Sequence, residues 1–279
     1  MSEQLAVLRP DSAEPPAARG PVRLAAVRVL ISRIGAMCLA EWQKLRRDRL
    51  ELLIRAVQPL LWLGIFGATF GRLREIPTGG LPYLDFILPG VLTQSVLFIA
   101  ILYGIHVIWD RDAGVLAKLM VTPTPRVALI AGKAFAAGVR GLSNGVVVLL
   151  IAVALGISVI WNPLRLLAVA GVILLGTAAF CCLSILLAGL VRTRERMMGI
   201  GQVIMVPMFF ASNALYPVAM MPPWLQAVSR FNPLTYQVDA LRGLLVGAPA
   251  NYALDVAVLA GVTVVLIGAA AALLPRLTR

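Results

Sequence analysis

The stretch LDFILPGVLTQSVLFIAILYGIHVIW, from Leu84 to Trp109, carries one acidic residue at its start, no lysine or arginine, and apolar side chains almost throughout. At about 1.5 Å of rise per residue, a helix over this run is longer than the roughly 30 Å of hydrocarbon in a bilayer. A membrane strand would have to alternate polar and apolar residues over about ten positions, which this run does not do. Helix is then the spanning structure that pairs every backbone N–H and C=O within the segment. Working outward, runs of the same kind lie at Leu50–Gly71, Val127–Ile160, Leu164–Val191, Met197–Leu215 and Asn251–Leu274. Six apolar runs predict a polytopic protein. The third of them exceeds the thickness of a bilayer and is expected to tilt or protrude.

Composition agrees. Of the 279 residues 60% are hydrophobic, only 14% are charged, and mean hydropathy is +0.89. Such a chain cannot cover a soluble globule with polar surface. The net charge of +12 is unevenly placed. If both termini lie inside, 19 of the 25 Lys and Arg fall in the cytoplasmic parts, against Arg72, Arg74, Arg165, Arg230 and Arg242 outside. That asymmetry is the positive-inside signature, so the charge reflects topology and attraction to anionic lipid rather than a nucleic-acid footprint. Cys38, Cys181 and Cys182 have no metal-ligand spacing, and no Cys, His, Asp or Glu cluster points to a metal.

Residues 1–21 are rich in Pro, Ala and charge without an apolar core, and read as a disordered cytoplasmic tail rather than a signal peptide. Residues 22–279 read as one transmembrane domain. Val22–Leu39 mixes apolar residues with arginines and runs into Glu41–Arg49 with Trp42, so an N-terminal interfacial helix is expected over residues 22–49. The connection Trp161–Pro163 is short enough for a tight hairpin of the third and fourth spans. The long connection over residues 216–247 is apolar, aromatic and divided by Pro217, Pro222, Pro223 and Pro233. It reads as two short re-entrant helices near Pro223–Arg230 and Leu234–Val246. The expected architecture is an all-α membrane protein: six transmembrane helices, an N-terminal interfacial helix, and a re-entrant outer helical hairpin before the last span.

Two stretches are more specific than composition. In Asp110–Arg126, two aspartates open a segment whose Val115, Leu116, Leu119 and Met120 recur at helical spacing, and Thr122-Pro-Thr-Pro ends it. A short amphipathic helix lying along the membrane, with its surface open to a cytosolic partner, is one reading of this stretch; a plain interhelical loop is the other, and composition alone favours the loop. The other is Arg230-Phe-Asn-Pro-Leu-Thr-Tyr-Gln-Val-Asp-Ala-Leu-Arg242. There Asn232 or Asp239 suits a helix cap, Pro233 its first turn, and Asp239 and Arg242 an i,i+3 pair.

Phe231-Asn-Pro-Leu-Thr-Tyr236 followed by Val238-Asp-Ala-Leu-Arg242 resembles the signature before the last span of ABC-2 type permeases, the membrane subunits of bacterial drug, lipid and polysaccharide exporters. Gly114 and Thr122-Pro123 resemble the same family's segment after its second span, and the resemblance covers about Ile34 to Leu274. It implies that Asp110, Arg111, Asp112, Gly114, Leu116, Leu119, Met120 and Thr122 form a coupling helix seated on a separate ATPase. Ala117 and Lys118 stand where many relatives carry glutamate. It further implies that Phe231, Asn232, Pro233, Tyr236, Asp239 and Arg242 shape an outer gate, with direct contact to substrate as the second reading.

The partners implied are two cytosolic ATPase subunits, which would hold ATP and Mg2+, and a second permease, most simply a copy of this chain. No cofactor is expected on the chain, because no Walker-type phosphate loop occurs. The pathway would run where two bundles meet, along the first, second and fifth spans. Thr93, Gln94, Ser95, Ser212 and Asn213 are its polar candidates, although interhelical hydrogen bonding explains the same side chains equally well. The expected location is a bacterial plasma membrane, with both termini in the cytoplasm.

Rival readings are a proton-driven exporter and a structural or sensory bundle. The former would want an acid deep in a span, whereas Asp85 and Asp110 sit at the ends of theirs. Gly141-Leu-Ser-Asn-Gly145 matches a nucleophile pattern, but lies in a helical run with His106 as the chain's one histidine. Lys133 and Arg140, seven residues apart, share a helix face and are expected to reach lipid phosphate, an anionic headgroup or substrate.

Overall fold

A computed structural model of the chain describes residues 22–47, 49–71, 78–114, 126–191 and 193–277. The expected tail at 1–21 and the part of the expected coupling helix at 115–122 lie outside the described residues. All regular structure among the described residues is helical. In chain order the helices are α1 (Val22–Arg47), α2 (Arg49–Leu61), α3 (Tyr83–Asp112), α4 (Arg126–Ala154), α5 (Pro163–Leu190), α6 (Arg194–Phe210), α7 (Pro223–Phe231), α8 (Pro233–Val246) and α9 (Tyr252–Leu277). Helix α2 runs on through a π turn at Trp62–Phe66 into Gly67–Phe70.

Four of these, α3, α4, α5 and α9, are long and apolar enough to cross a membrane. The first and fifth expected spans are shorter and less regular. Pro59 inside α2 has no N–H for the ladder, and the π turn follows within one turn of it. Helix α6 has 17 residues, contains Pro207 and gives way to turns at 211–216.

The expected third span, 127–160, is longer than the helix observed. Gly156 adopts φ +74° and closes α4 at Ala154, with Ile157 N–H donating to Ala152 O and Gly156 N–H to Val153 O, both at 3.0 Å. A left-handed glycine satisfies the last carbonyls in this way and ends a helix inside an apolar run. Residues 157–162 then run without helix, and Ile160 N–H donates to Leu245 O at 2.8 Å. The tight turn expected at Trp161–Pro163 is therefore a longer joint anchored to α8. Asn162 caps α5 by accepting from Leu164 N–H at 2.9 Å, with Pro163 in the first turn.

Helices α3 and α5 form the centre, with α4 against both and α9 on the far side of α5. Nearly every residue of α3 from Tyr83 to Val107 is buried, which suits a sequence apolar all round. Gly104 lets α3 meet α5 closely: a side chain there would overlap Ser184, whose hydroxyl donates to Ile101 O at 2.7 Å. Gly141 of α4 makes the same kind of approach to Thr177 of α5. The expected hairpin is present as α7 and α8, but its halves differ. Leu234, Val238, Leu241 and Leu245 of α8 are fully buried between α3, α5 and α9, whereas α7 exposes Trp224 and Val228. Helix α1 lies along α4 rather than standing apart from the bundle.

Candidate functional site

Polar side chains gather at the two ends of the bundle, called here the basic end and the hairpin end. At the basic end three helical stripes converge. Helix α3 supplies Tyr103, His106 and Asp110, α4 supplies Lys133 and Arg140, and α1 supplies Glu41 and Lys44, all spaced to share a face. They line a cavity of about 230 Å3.

Arg140 Nε donates to Glu41 Oε2 at 2.7 Å, and Lys44 Nζ to Glu41 Oε1 at 3.1 Å. The Arg140 guanidinium lies 5.7 Å from the centre of the Tyr103 ring. Lys133 Nζ is paired with Asp110 Oδ2. Burial alone would push the Glu41 carboxyl up, but the bonds from Arg140, Lys44 and the Tyr103 hydroxyl outweigh it and hold the group below the ordinary glutamate value. The expectation that Lys133 and Arg140 reach for lipid phosphate thus meets a different arrangement, in which each is held by an acid on another helix.

Asp110, the first of the expected coupling residues, is therefore tied to α4. Arg111 Nη2 pairs with Asp112 Oδ1 at 3.0 Å, and Gly114 takes φ +68° just after α3 ends. Leu116, Leu119, Met120 and Thr122 lie outside the described residues.

At the hairpin end, Asn232 bridges two helices. Its Oδ1 caps α8 by accepting from Leu234 N–H at 3.0 Å, and its Nδ2 donates to Met208 O of α6 at 2.6 Å. Pro233 occupies the first turn of α8. The Tyr236 hydroxyl donates to Arg230 O at 2.7 Å, closing the corner between α7 and α8. Phe231 is 89% exposed at that corner.

Arg242 is almost fully buried. Its Nη2 donates to Asn213 O at 2.7 Å, Nε and Nη2 lie 3.4 Å from Phe86 O, and Nη1 reaches Asp239 Oδ1 at 3.5 Å. The guanidinium carbon is 4.0 Å from the centre of the Phe86 ring. Asn213 Nδ2 in turn donates to Asp239 Oδ1.

The pathway candidates divide accordingly. Asn213 belongs to the Arg242 cluster, and the Ser212 hydroxyl beside it turns back to Phe209 O at 2.6 Å. Thr93 and Ser95 are buried in α3 and donate to Pro89 O and Val91 O of their own helix, at 2.8 and 2.9 Å. Gln94 is buried with its Oε1 unpartnered. These three side chains sit inside the bundle. Next to the hairpin, an apolar groove of about 530 Å3 opens between α6 and α7, lined by Met208, Phe210, Tyr216, Trp224, Val228 and Phe231.

Sequence reasoning missed Glu41, Tyr103 and Phe86 as members of these clusters. The available signal was Lys133 and Arg140 themselves: two cations on one face of an otherwise apolar helix imply acids opposite them.

Comparison with known proteins agrees with this geometry. Residues 32–246, from α1 to the end of α8, match the family profile of the ABC-2 type transporter. The chain is 33% identical over 210 residues to the ycf38 chain of Cyanophora paradoxa, whose name marks it as a transport permease, covering 72% of this chain and 70% of that one. It is 24% identical over 259 residues to the daunorubicin resistance ABC transporter permease protein DrrB1 of Streptomyces coeruleorubidus, covering 93% and 89%. Nodulation protein J of Rhizobium leguminosarum bv. trifolii is 26% identical over 201 residues, covering 71% and 75%. A family match from α1 to the end of α8, in a chain with four helices fit to cross a bilayer, settles the class: this protein belongs to the ABC-2 type transporter family and is a transport permease.

Proposed function

We propose that this chain is the membrane subunit of an ATP-driven exporter that moves an amphipathic drug, lipid or glycan out of the cytoplasm. The observation that carries the reading is the colinear similarity to a daunorubicin resistance permease over 93% of the chain. Permeases of this family generally work with ABC ATPase subunits. Here two such subunits would bind ATP and Mg2+ and seat on the segment from Asp110 to Thr122, and a second copy of the chain would complete the transporter. The α2 and α6 segments would serve as the first and fifth of six spans. Their outward faces, with Ile54, Val57, Ile65, Val203 and Phe210 exposed, are surfaces that a second copy would cover. The basic end would face the cytoplasm with both termini, and the hairpin end would face outward. ATP binding would then shift the pair between inward-open and outward-open forms through the coupling segments.

The test is co-expression with a genetically neighbouring ATPase, purification of the complex into lipid nanodiscs, and measurement of ATP hydrolysis. We expect a stable complex whose hydrolysis falls severalfold on Leu116→Asp/Leu119→Asp while the bundle stays monodisperse. Failure of any ATPase to co-purify with folded permease would refute the reading.

A further inference from the structure

We propose that the cavity between α1, α3 and α4 at the basic end binds the phosphodiester headgroup of an anionic phospholipid from the adjoining leaflet. Five charged side chains line the cavity, the cations Lys44, Lys133 and Arg140 and the carboxylates Glu41 and Asp110. The two deeper cations are committed, Arg140 to Glu41 and Lys133 to Asp110, and both are largely buried. Lys44 differs. It shares the buried Glu41 with Arg140, and its own side chain is 66% exposed at the rim.

A monoanion entering from the rim would meet the exposed ammonium of Lys44, with Lys133 and Arg140 behind it. Basic pockets between membrane helices at the cytoplasmic face are where anionic headgroups bind, and in the proposed orientation the rim of this one, at Lys44 and Asp110, would face that leaflet. Leu39 and Trp42 of α1 and Trp109 of α3 are exposed beside it, as apolar surface for acyl chains and aromatic groups for the interface. The bound lipid would brace α1 against α3 and α4 next to Asp110, where the coupling segment begins. This site rests on the proposed orientation of the basic end, but its test does not depend on an ATPase.

The experiment is native mass spectrometry of the full-length permease, released from detergent after incubation with phosphatidylglycerol or phosphatidylcholine, with thermal unfolding measured on each variant. Wild type is expected to retain phosphatidylglycerol in clear preference to phosphatidylcholine. Lys44→Gln is expected to lower that retention about fivefold, the weight of one lysine at an anionic surface, without moving the unfolding temperature. Lys44→Arg should keep it. Arg196→Gln, which removes a cation of α6 that does not line the cavity, should also leave retention unchanged. Equal retention of the two lipids, or equal loss in Lys44→Gln and Arg196→Gln, would overturn the proposal. So would displacement of the lipid by inorganic phosphate at millimolar concentration, because the site would then read free phosphate. Loss of the ATPase interaction with lipid preference intact would remove the exporter reading and leave this one standing.

Discussion

The two ends of the bundle both bury an arginine, and they do it differently. At the hairpin end, Arg242 is answered mainly by main-chain oxygen, the carbonyls of Phe86 and Asn213, with Asp239 as the lesser partner at 3.5 Å. Those acceptors are fixed by the path of the chain, so the cluster acts as a knot. At the basic end, Arg140 is answered by the carboxylate of Glu41, a side chain on a helix 99 residues away in sequence. Such a pair parts whenever α1 and α4 part, and no main-chain group is left exposed when it does. The difference teaches that burial of a charge does not by itself define a rigid point. What matters is whether the partner belongs to the backbone.

The largest effect should follow from cutting the knot. Arg242→Met leaves the Phe86 and Asn213 carbonyls without their buried donor and Asp239 with Asn213 Nδ2 alone, and should cost about 3–5 kcal/mol, seen as a large fall in unfolding temperature in detergent and in yield of monodisperse protein. A variant that unfolds like the wild type would mean the backbone at Asn213 holds without the guanidinium.

A smaller effect is expected at the basic end. Glu41→Gln removes one charge-assisted acceptor and should cost about 1.5–3 kcal/mol, and Glu41→Arg/Arg140→Glu should recover part of that cost by restoring the pair in reverse. If the exchange recovers nothing, the two side chains do not couple. The pH dependence has a definite sign. The Glu41 carboxyl is lowered in the folded protein from an ordinary value of 4.5, so its contribution is fully present above that value. It is lost as pH falls through the lower folded value. Unfolding temperature should therefore fall more steeply with acid in wild type than in Glu41→Gln.

Asn232→Ala should be the mildest of the three. It removes the α8 cap, worth about 1 kcal/mol, together with the bond to Met208 O. Its sharper readout is hydrogen exchange at Leu234, which should rise locally without spreading through α8.

Much of this was legible before any coordinates. The long apolar runs announced α3, α4, α5 and α9 because continuous hydropathy leaves no other solution in lipid. Pro223 and Asn232-Pro233 marked where α7 and α8 begin, because a proline in the first turn and an asparagine before it leave little choice. The end of α4 was misread because hydropathy continues to Ile160, while the stop is made by the dihedral angle of Gly156, which apolar counting does not register. Pro59 was visible in the sequence, but that the helix answers it with a π turn setting Trp62 against Phe209 of α6, at 5.6 Å between ring centres, is a tertiary matter. The Glu41 and Arg140 pairing was hidden for the same reason. Each residue alone is an ordinary charge near a membrane end, and only the fold sets them 2.7 Å apart.

Helix α3 is packed on all sides from Tyr83 to Val107, and it has Asp110 beside Lys133 at one end and the Tyr83 hydroxyl 3.4 Å from Leu215 O at the other. A close-packed helix of 30 residues is about 45 Å long, and close packing around Pro89, which lacks an N–H for the ladder, is what would let it move as one piece. Pivoted near its basic end, it would turn a tilt of about 5° into about 4 Å of travel at Tyr83. The thickness of the membrane then supplies the leverage, so that a small movement of the connection after Asp110 becomes a side-chain-sized opening at the turns that carry Asn213.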